Sequence, residues 1–201
     1  MWPQSSFYST PSLYSMARVI VVGGGPAGLS AALFTSKNGL DVQLFDTDKT
    51  WLHHAHLLNY LGIESRNGDE FLADAREQVE GFGATLSAGE VTAVEASGDG
   101  FVVTVDDETH DAEYLVLATG TKRGLAAELG CAFTDDDDDV VDVDVTMETS
   151  VENVYATGAM VRAEEWQAII SAGDGAAAAL NILTKERGEH FHDFDTPEDV
   201  E

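Results

Sequence analysis

The chain has 201 residues, of which 44% are hydrophobic and 23% are charged. A chain of this length and composition holds one domain with a substantial core, alone or with a small appendage. Its 37 acidic and 10 basic residues give a formal net charge of −27, which repels nucleic acid and anionic membrane surfaces and argues against both as partners. Such an excess of acid, in a chain with clear hydrophobic periodicity, is typical of a cytoplasmic protein from a salt-accumulating halophile, because salt screens the self-repulsion.

Cysteine content and the N-terminal segment restrict the protein further. Cys131 is the only cysteine, so the chain can form no intrachain disulfide and has no Cys-x-x-Cys redox pair. The longest apolar run, residues 19–34, is interrupted by glycines and a proline, which favours a strand, a turn and a helix over a membrane span. Residues 1–15 lack the basic and apolar regions of a signal peptide. We therefore expect residues 1–16 to form a flexible N-terminal tail.

A glycine-rich segment follows the first predicted strand. Residues 19–22 are Val-Ile-Val-Val, a β-branched run typical of a short buried parallel strand. The next glycines have the spacing G-x-G-x-x-G, which allows a tight turn, a close approach to a pyrophosphate and close packing of the next helix. The N–H groups and the dipole at the start of that helix favour the phosphate charge. The sequence therefore predicts a dinucleotide-binding loop formed by Gly23, Gly25, Pro26, Ala27 and Gly28.

An acidic residue ends the second predicted strand. The first helix should end near Lys37, before the stop signal Asn38-Gly39, and residues 41–46 have the pattern of a strand. Asp46 closes this strand at about the 20-residue distance from the glycine motif at which an acid binds a ribose. We expect Asp46 to accept hydrogen bonds from an adenosine ribose and to repel a 2′-phosphate.

The rest of the chain continues the α/β pattern. Residues 47–64 have the composition of a loop. The further predicted elements are an amphipathic helix at 68–81, an extended region from 84, an antiparallel three-stranded meander at 90–96, 101–105 and 109–112, a buried strand at 114–120, a short helix within 122–130, a solvated acidic turn at 135–139, an exposed edge strand at 140–145, a buried strand at 154–158 and a long helix from about 164 to 187.

The order of these elements resembles that of the thioredoxin-reductase-like FAD oxidoreductases, within the pyridine nucleotide-disulfide oxidoreductase superfamily. Beside the glycine motif, five segments carry the resemblance: Asn59-Tyr-Leu-Gly62, Gln78–Gly83, Ala118-Thr-Gly120, Thr149–Gly158 and Gln167–Gly175. The resemblance covers residues 17 to about 185. It implies an α/β fold, a Rossmann-like FAD-binding domain with a central parallel sheet and a small antiparallel β-meander, and it implies FAD as the cofactor.

The resemblance also assigns further residues to the cofactor. The flavin ring would lie near the start of the last helix, whose free N–H groups would face the ring and stabilise reduced flavin. Trp166 would cover the ring or fill space beside it. By position in the matching segments, the cofactor-binding residues beyond the glycine loop and Asp46 are Asn59, Thr119, Gly120, Gly158, Trp166, Gln167 and Ala168.

Three departures from the family pattern shape the expected function. The family's NADPH domain would follow the strand at 114–120, where only residues 121–130 precede the C-terminal FAD portion, and no second glycine-rich motif occurs. The family's Cys-x-x-Cys lies in that domain. The family's acid after the last strand, which holds the ribityl chain, is here Ala159. We expect a single FAD domain at 17–188 and a polar tail at 189–201.

Two functions fit these departures. The first is a flavoprotein oxidoreductase reduced by a partner protein or a small reductant, with the exposed flavin face as a docking surface or covered by a homodimer partner. The second is a non-catalytic dinucleotide-binding or regulatory module derived from a reductase.

Three histidines after the second strand are the candidate catalytic residues. His53, His54 and His56 occupy a stretch where the family's chain passes over the flavin. A histidine there suits proton transfer coupled to flavin reduction. A solvated loop and a metal site remain alternatives, although H-H-x-H lacks the spacing of a usual zinc site.

Overall fold

The computed structural model describes residues 17–134 and 139–196. Its strands are β1 (Arg18–Val22), β2 (Asp41–Asp46), β3 (His56–Leu57), β4 (Arg66–Asn67), β5 (Thr85–Ala88), β6 (Val91–Ser97), β7 (Gly100–Val105), β8 (Glu108–Ala112), β9 (Tyr114–Leu117) and β10 (Val154–Ala156). Its α-helices are α1 (Pro26–Lys37), α2 (Gly68–Gly81), α3 (Gly124–Glu128) and α4 (Ala168–Arg187), and single 3-10 turns cover Trp51–His54 and Gly158–Val161. The chain is therefore an α/β protein, as predicted.

Five parallel strands form the central sheet, in the order β10-β9-β1-β2-β5. Side chains of β1 alternate between its two faces. Val19 and Val21 pack with α1, α2 and α4, whereas Ile20 and Val22 pack with the antiparallel sheet β6-β7-β8. The domain thus has three layers, and both faces of the parallel sheet are covered, as such sheets require.

Parallel strands bring the candidate site together. The carboxyl ends of β1, β2, β9 and β10 lie side by side at one edge of the sheet. In open α/β sheets ligands bind in the crevice outside these ends. The predicted glycine loop, Asp46 and the two glycine-terminated strands therefore share one edge.

Small residues allow α1 and α4 to pack closely. A Cβ on Gly175 would overlap the carbonyl oxygen of Ala27, so only glycine fits where α4 crosses the start of α1. Ala178 and Ile182 of α4 are fully buried in the same core. This contact holds the start of α4 beside the first turn of α1.

Three local predictions need correction. The long helix begins at Ala168 rather than near Glu164, because Gln167 is extended (φ −114°, ψ 142°). Residues 140–145 do not form an exposed edge strand: Val140 and Val141 are buried, and this stretch makes only isolated bridges. Residues 47–64 hold a 3-10 turn and β3 rather than loop alone. The predicted acidic turn at 135–139 lies mainly outside the described residues, as do residues 1–16 and 197–201.

The start of the C-terminal segment is held against α1. The ammonium group of Lys37 pairs with Asp193 at 2.7 Å and with Asp195 at 2.5 Å.

Among the described residues, no helix has the length and apolarity needed to cross a membrane.

Candidate functional site

The turn after β1 depends on two glycines. Gly23 has φ +112°, and its N–H donates to the carbonyl of Phe45 over 2.8 Å. A Cβ on Gly23 would overlap the carbonyl oxygen of Ala118, and a Cβ on Gly28 would overlap that of Gly23. The turn is therefore confined between the ends of β2 and β9, and it draws the first turn of α1 against β1.

The start of α1 is open where a ligand would approach. Gly25 precedes Pro26 in an extended conformation (φ −79°, ψ −175°) and provides no side-chain cap. Among the described residues, a Cβ on Gly25 would meet only Thr50, with Oγ1 at 3.4 Å. Unpaired N–H groups, the positive end of a helix dipole and the space left by glycine are the components of a phosphate site. The residues present therefore fit a pyrophosphate.

The carboxylate of Asp46 borders this loop. A Cβ on Gly24 would overlap its Oδ2 atom, so the carboxylate packs directly on the glycine turn. The Asp46 side chain is 17% exposed. Arg76 of α2 donates from Nη2 to Asp46 Oδ2 over 3.2 Å. A ribose bound next to the loop could reach this carboxylate, which is the ribose-binding arrangement of dinucleotide folds.

His53 lies between two carboxylates, and one of them shares Arg76 with Asp46. Its Nδ1 is 2.5 Å from Asp69 Oδ1 and its Nε2 is 2.8 Å from Asp48 Oδ1. The hydrogen bond to Asp69, followed by that to Asp48, raises the pKa of His53 above its usual value. Arg76 Nη2 contacts the same Asp48 oxygen at 2.5 Å, and the hydrogen bonds from Arg76 and His53 lower the pKa of Asp48.

The other two candidate histidines have different surroundings. His54 is exposed, and His56 Nε2 lies 2.8 Å from Ser65 Oγ. Among the described residues, no group of three or more histidine, cysteine, aspartate or glutamate side chains is arranged to hold a metal ion. Of the three, only His53 belongs to the charged cluster near Asp46.

The loop that contains Asn59 contacts the residue before α4. Asn59 Nδ2 donates to Gln167 Oε1 over 2.7 Å. Trp166 Nε1 donates to the carbonyl of Arg162 over 3.1 Å, although the Trp166 side chain is 54% exposed. The structure therefore brings Asn59, Trp166 and Gln167 to one place, together with Ala168, the first residue of α4.

The two glycine-terminated strands reach the same edge. Thr119 Oγ1 donates to the carbonyl of Lys122 over 2.5 Å, and Gly120 has φ +66°. Gly158 has φ +71°, and a Cβ there would lie 3.2 Å from Ala27 Cβ and 3.4 Å from Ser171 Oγ. Gly158 thus stands between the starts of α1 and α4.

Several site residues were missed from the sequence. Arg76 falls on the polar side of α2 by periodicity, which hides its contact with Asp46. Arg162 donates to the buried carboxylate of Asp174 from Nη2 at 2.5 Å and from Nε at 3.2 Å. Asp174 is an acid isolated among small helix residues, and that isolation was the available signal for a buried charge.

The fold and the site define a Rossmann-type dinucleotide-binding domain, because a glycine turn, an open helix start and an acid after β2 meet at the carboxyl edge of a parallel sheet. The chain belongs to the pyridine nucleotide-disulphide oxidoreductase family, which matches residues 17–128. Members of this family are FAD-binding flavoproteins. The family resemblance inferred from the motifs, the fold class and the FAD cofactor are confirmed.

Relatives with similar sequences include thioredoxin reductases. The bifunctional thioredoxin reductase/thioredoxin of Mycobacterium leprae is 34% identical over 119 residues, which cover 56% of this chain and 26% of that protein. The thioredoxin reductase of Mycolicibacterium smegmatis is 35% identical over 106 residues, covering 51% of this chain and 34% of that protein. The chain therefore matches about a third or less of the length of these relatives.

Solved structures give the same fold over more of the chain. A thioredoxin reductase from Gloeobacter violaceus superposes with a TM-score of 0.79 at 19% identity, covering 91% of this chain and 100% of that one. The atypical thioredoxin reductase TRi from Desulfovibrio vulgaris Hildenborough gives 0.78 at 16% identity, covering 86% and 99%. At these identities the likeness establishes the fold alone.

Proposed function

We propose that the protein is a small FAD-dependent oxidoreductase that is reduced by a partner protein or a small reductant. The position of Gly158 supports this most strongly. It lies against Ala27 at the start of α1 and Ser171 of α4, so the end of β10 flanks the phosphate loop. An NAD-binding module does not need this second glycine-terminated strand, whereas a flavin that extends from the loop toward α4 does.

The residues assigned to FAD divide into two groups. At the adenosine end, Asp46 would hold the ribose, and the loop Gly23, Gly25, Pro26, Ala27 and Gly28 would hold the pyrophosphate. At the flavin end, the assigned residues are Asn59, Thr119, Gly120, Gly158, Trp166, Gln167 and Ala168. Bound FAD supplies reversible two-electron chemistry, and the role of this chain is to orient the cofactor and to stabilise charge near its ring.

The connection between β9 and β10 supports a source of electrons outside this chain. The described residues of this connection form α3 and isolated bridges, without a second glycine-rich loop. In the family pattern the NADPH domain occupies this connection. We therefore assign the reduction of the flavin to a separate protein or to a small reductant.

Exposed apolar side chains support a docking surface at the flavin end. Leu58 and Leu61, which flank Asn59, are 72% and 89% exposed, and Trp166 beside Gln167 is 54% exposed. Exposed apolar groups gathered in one place mark interaction surfaces more often than chance. We propose that a redox partner covers this surface, and a homodimer is the alternative occupant.

The histidines keep a proposed role in proton transfer. His54 is exposed and His56 contacts Ser65, so both are accessible to a proton donor or acceptor. His53 already has two carboxylate partners. We therefore assign proton delivery to His54 or His56. His53 is the least available for proton transfer, because both of its ring nitrogens already contact carboxylates.

Ala159 favours a second candidate function. The family's acid at this place would hold the ribityl chain, so its loss removes one contact that keeps the flavin bound. A non-catalytic dinucleotide-binding or regulatory module would retain the adenosine end and lose the flavin end. The two candidates differ in what they bind. The first binds FAD through both ends of the cofactor, whereas the second binds ADP as tightly as FAD because it contacts only the adenosine end.

The test is an anaerobic flavin titration of the full chain. It is carried out in molar salt, because salt screens the repulsion among the many acidic residues. We expect a yellow protein, directly or after addition of FAD, whose flavin is reduced by dithionite but not by NADPH. A colourless protein that takes up no FAD contradicts the flavoprotein proposal. Direct bleaching by NADPH contradicts the assignment of a separate reductant.

A further inference from the structure

Arg76 occupies an unusual place for a residue on the polar side of a helix. Its side chain is 30% exposed and bends from α2 toward the end of β2. There Nη2 lies 3.2 Å from Asp46 Oδ2 and 2.5 Å from Asp48 Oδ1. One guanidinium nitrogen thus joins the carboxylate of the ribose site to a second carboxylate two residues later.

The second carboxylate is itself fixed in place. Asp48 lies in the turn after β2 with φ +55°. Its Oδ1 atom contacts both Arg76 and His53, and His53 is in turn held by Asp69. Arg76 is therefore anchored at Asp48 by a group that does not depend on Asp46.

The Asp46 carboxylate needs such a contact. It packs against the glycine turn and is only 17% exposed, so little water reaches it. A largely buried carboxylate without a positive partner loses hydration and is free to turn away from the ligand. Arg76 binds Oδ2, and the structure records no partner for Oδ1 within the described residues, which leaves that oxygen for a ligand hydroxyl.

We propose that Arg76 is the positioning residue of the ribose site: held by Asp48, it keeps the Asp46 carboxylate oriented for the 2′-hydroxyl of an adenosine ribose. This inference rests on the proposed dinucleotide binding. Because the carboxylates of Asp46 and Asp48 together outweigh the single positive charge of Arg76, a 2′-phosphate would be repelled, and the site selects nucleotides with an unmodified 2′-hydroxyl.

The test uses ADP and 2′-deoxy-ADP as probes, with calorimetric titration of the full chain freed of flavin. A hydrogen bond from a hydroxyl to a carboxylate predicts about tenfold tighter binding of ADP. Asp46→Ala removes the acceptor and should abolish this preference. Arg76→Ala should reduce it to about threefold or less, and Arg76→Lys should retain most of it. Combining Arg76→Ala with Asp46→Ala should add nothing to Asp46→Ala.

Arg66 provides the matched control. Like Arg76, Arg66 pairs with two carboxylates, but these belong to Glu70 and Asp74 of α2 and not to Asp46. Arg66→Ala should leave the preference for ADP at its full value. The proposal is overturned if Arg76→Ala keeps the tenfold preference, or if it weakens both probes equally, since Arg76 would then contact the ligand directly or act only on the fold. Failure of the unmodified chain to bind ADP or FAD at all contradicts the proposed function itself.

Discussion

Asn59 and Gln167 are joined by a hydrogen bond of 2.7 Å between their side-chain amides, across 108 positions of the sequence. Asn59 belongs to the loop after β3, and Gln167 is the residue before α4. The sequence predicts that both residues bind the cofactor. The contact fixes the loop relative to the helix start at which the flavin ring is proposed to lie.

Removing this hydrogen bond should weaken flavin binding more than folding. Asn59→Ala frees the loop from Gln167, and because the bond is exposed its loss should cost only about 0.5–1.5 kcal/mol in the free energy of unfolding. FAD affinity, measured by flavin fluorescence, should fall about fivefold because the loop is no longer preorganised. Asn38→Ala is the control, since Asn38 bonds Phe34 at the far end of α1. Equal FAD affinities for the two variants would show that the hydrogen bond between Asn59 and Gln167 does not contribute to FAD binding.

A bulky residue at Gly25 should block the phosphate loop without disturbing the fold. Gly25 has φ −79°, which any residue can adopt, and the space around its Cβ position is bounded only by Thr50 among the described residues. Gly25→Leu should therefore reduce FAD binding at least about a hundredfold, while the melting temperature changes little. Gly124→Leu on α3 is the matched control, because a Cβ there meets no atom of the described structure within 4 Å. Retention of FAD by Gly25→Leu would contradict the assignment of the loop.

The sequence predicted the elements whose physical signals are local. The strand before the glycine turn, the bounds of α1 and the end of α2 at Gly81 all agree with the structure. Each has a strong signal: a β-branched run, the stop at Asn38-Gly39, and a clear helical period. The two buried strands predicted at 114–120 and 154–158 begin where predicted, but they end at Leu117 and Ala156, before the glycines that the prediction included in them.

Contacts between distant segments could not be predicted in the same way. Periodicity placed Arg76 on the solvent side of α2, yet the bent turn after β2 brings Asp46 and Asp48 to its guanidinium. Likewise, the alternation of valine and aspartate at 140–145 suggested an edge strand. Val141 is instead buried, and its N–H donates to the carbonyl of Met160 over 3.0 Å. In both cases tertiary packing determines the position of the side chain, and the pattern of hydrophobic and polar residues along the sequence does not contain that information.

The ion pair of Arg162 and Asp174 should show unequal costs when each partner is removed. Asp174 has a side chain 7% exposed, whereas that of Arg162 is 35% exposed and can reach water. Arg162→Met strands a buried carboxylate, which should cost about 3 kcal/mol in the free energy of unfolding. Asp174→Asn leaves the guanidinium partly hydrated and should cost about 1 kcal/mol. Urea unfolding of both variants measures the difference, and equal costs, or a larger cost for Asp174→Asn, would contradict it.

His53 should make stability depend on pH in a defined direction. Its folded pKa is raised by Asp69 and then by Asp48, so its stabilising contribution is fully present below the unfolded pKa of about 6.5. That contribution is lost as the pH rises through the folded pKa, because neutral His53 no longer attracts either carboxylate. Thermal unfolding of His53→Gln and of the unmodified chain should therefore differ most near pH 6 and converge toward alkaline pH. His54→Gln, at an exposed neighbouring position, is the matched histidine replacement. A His53→Gln difference that grows with pH would show that the two carboxylates do not hold the charged imidazole.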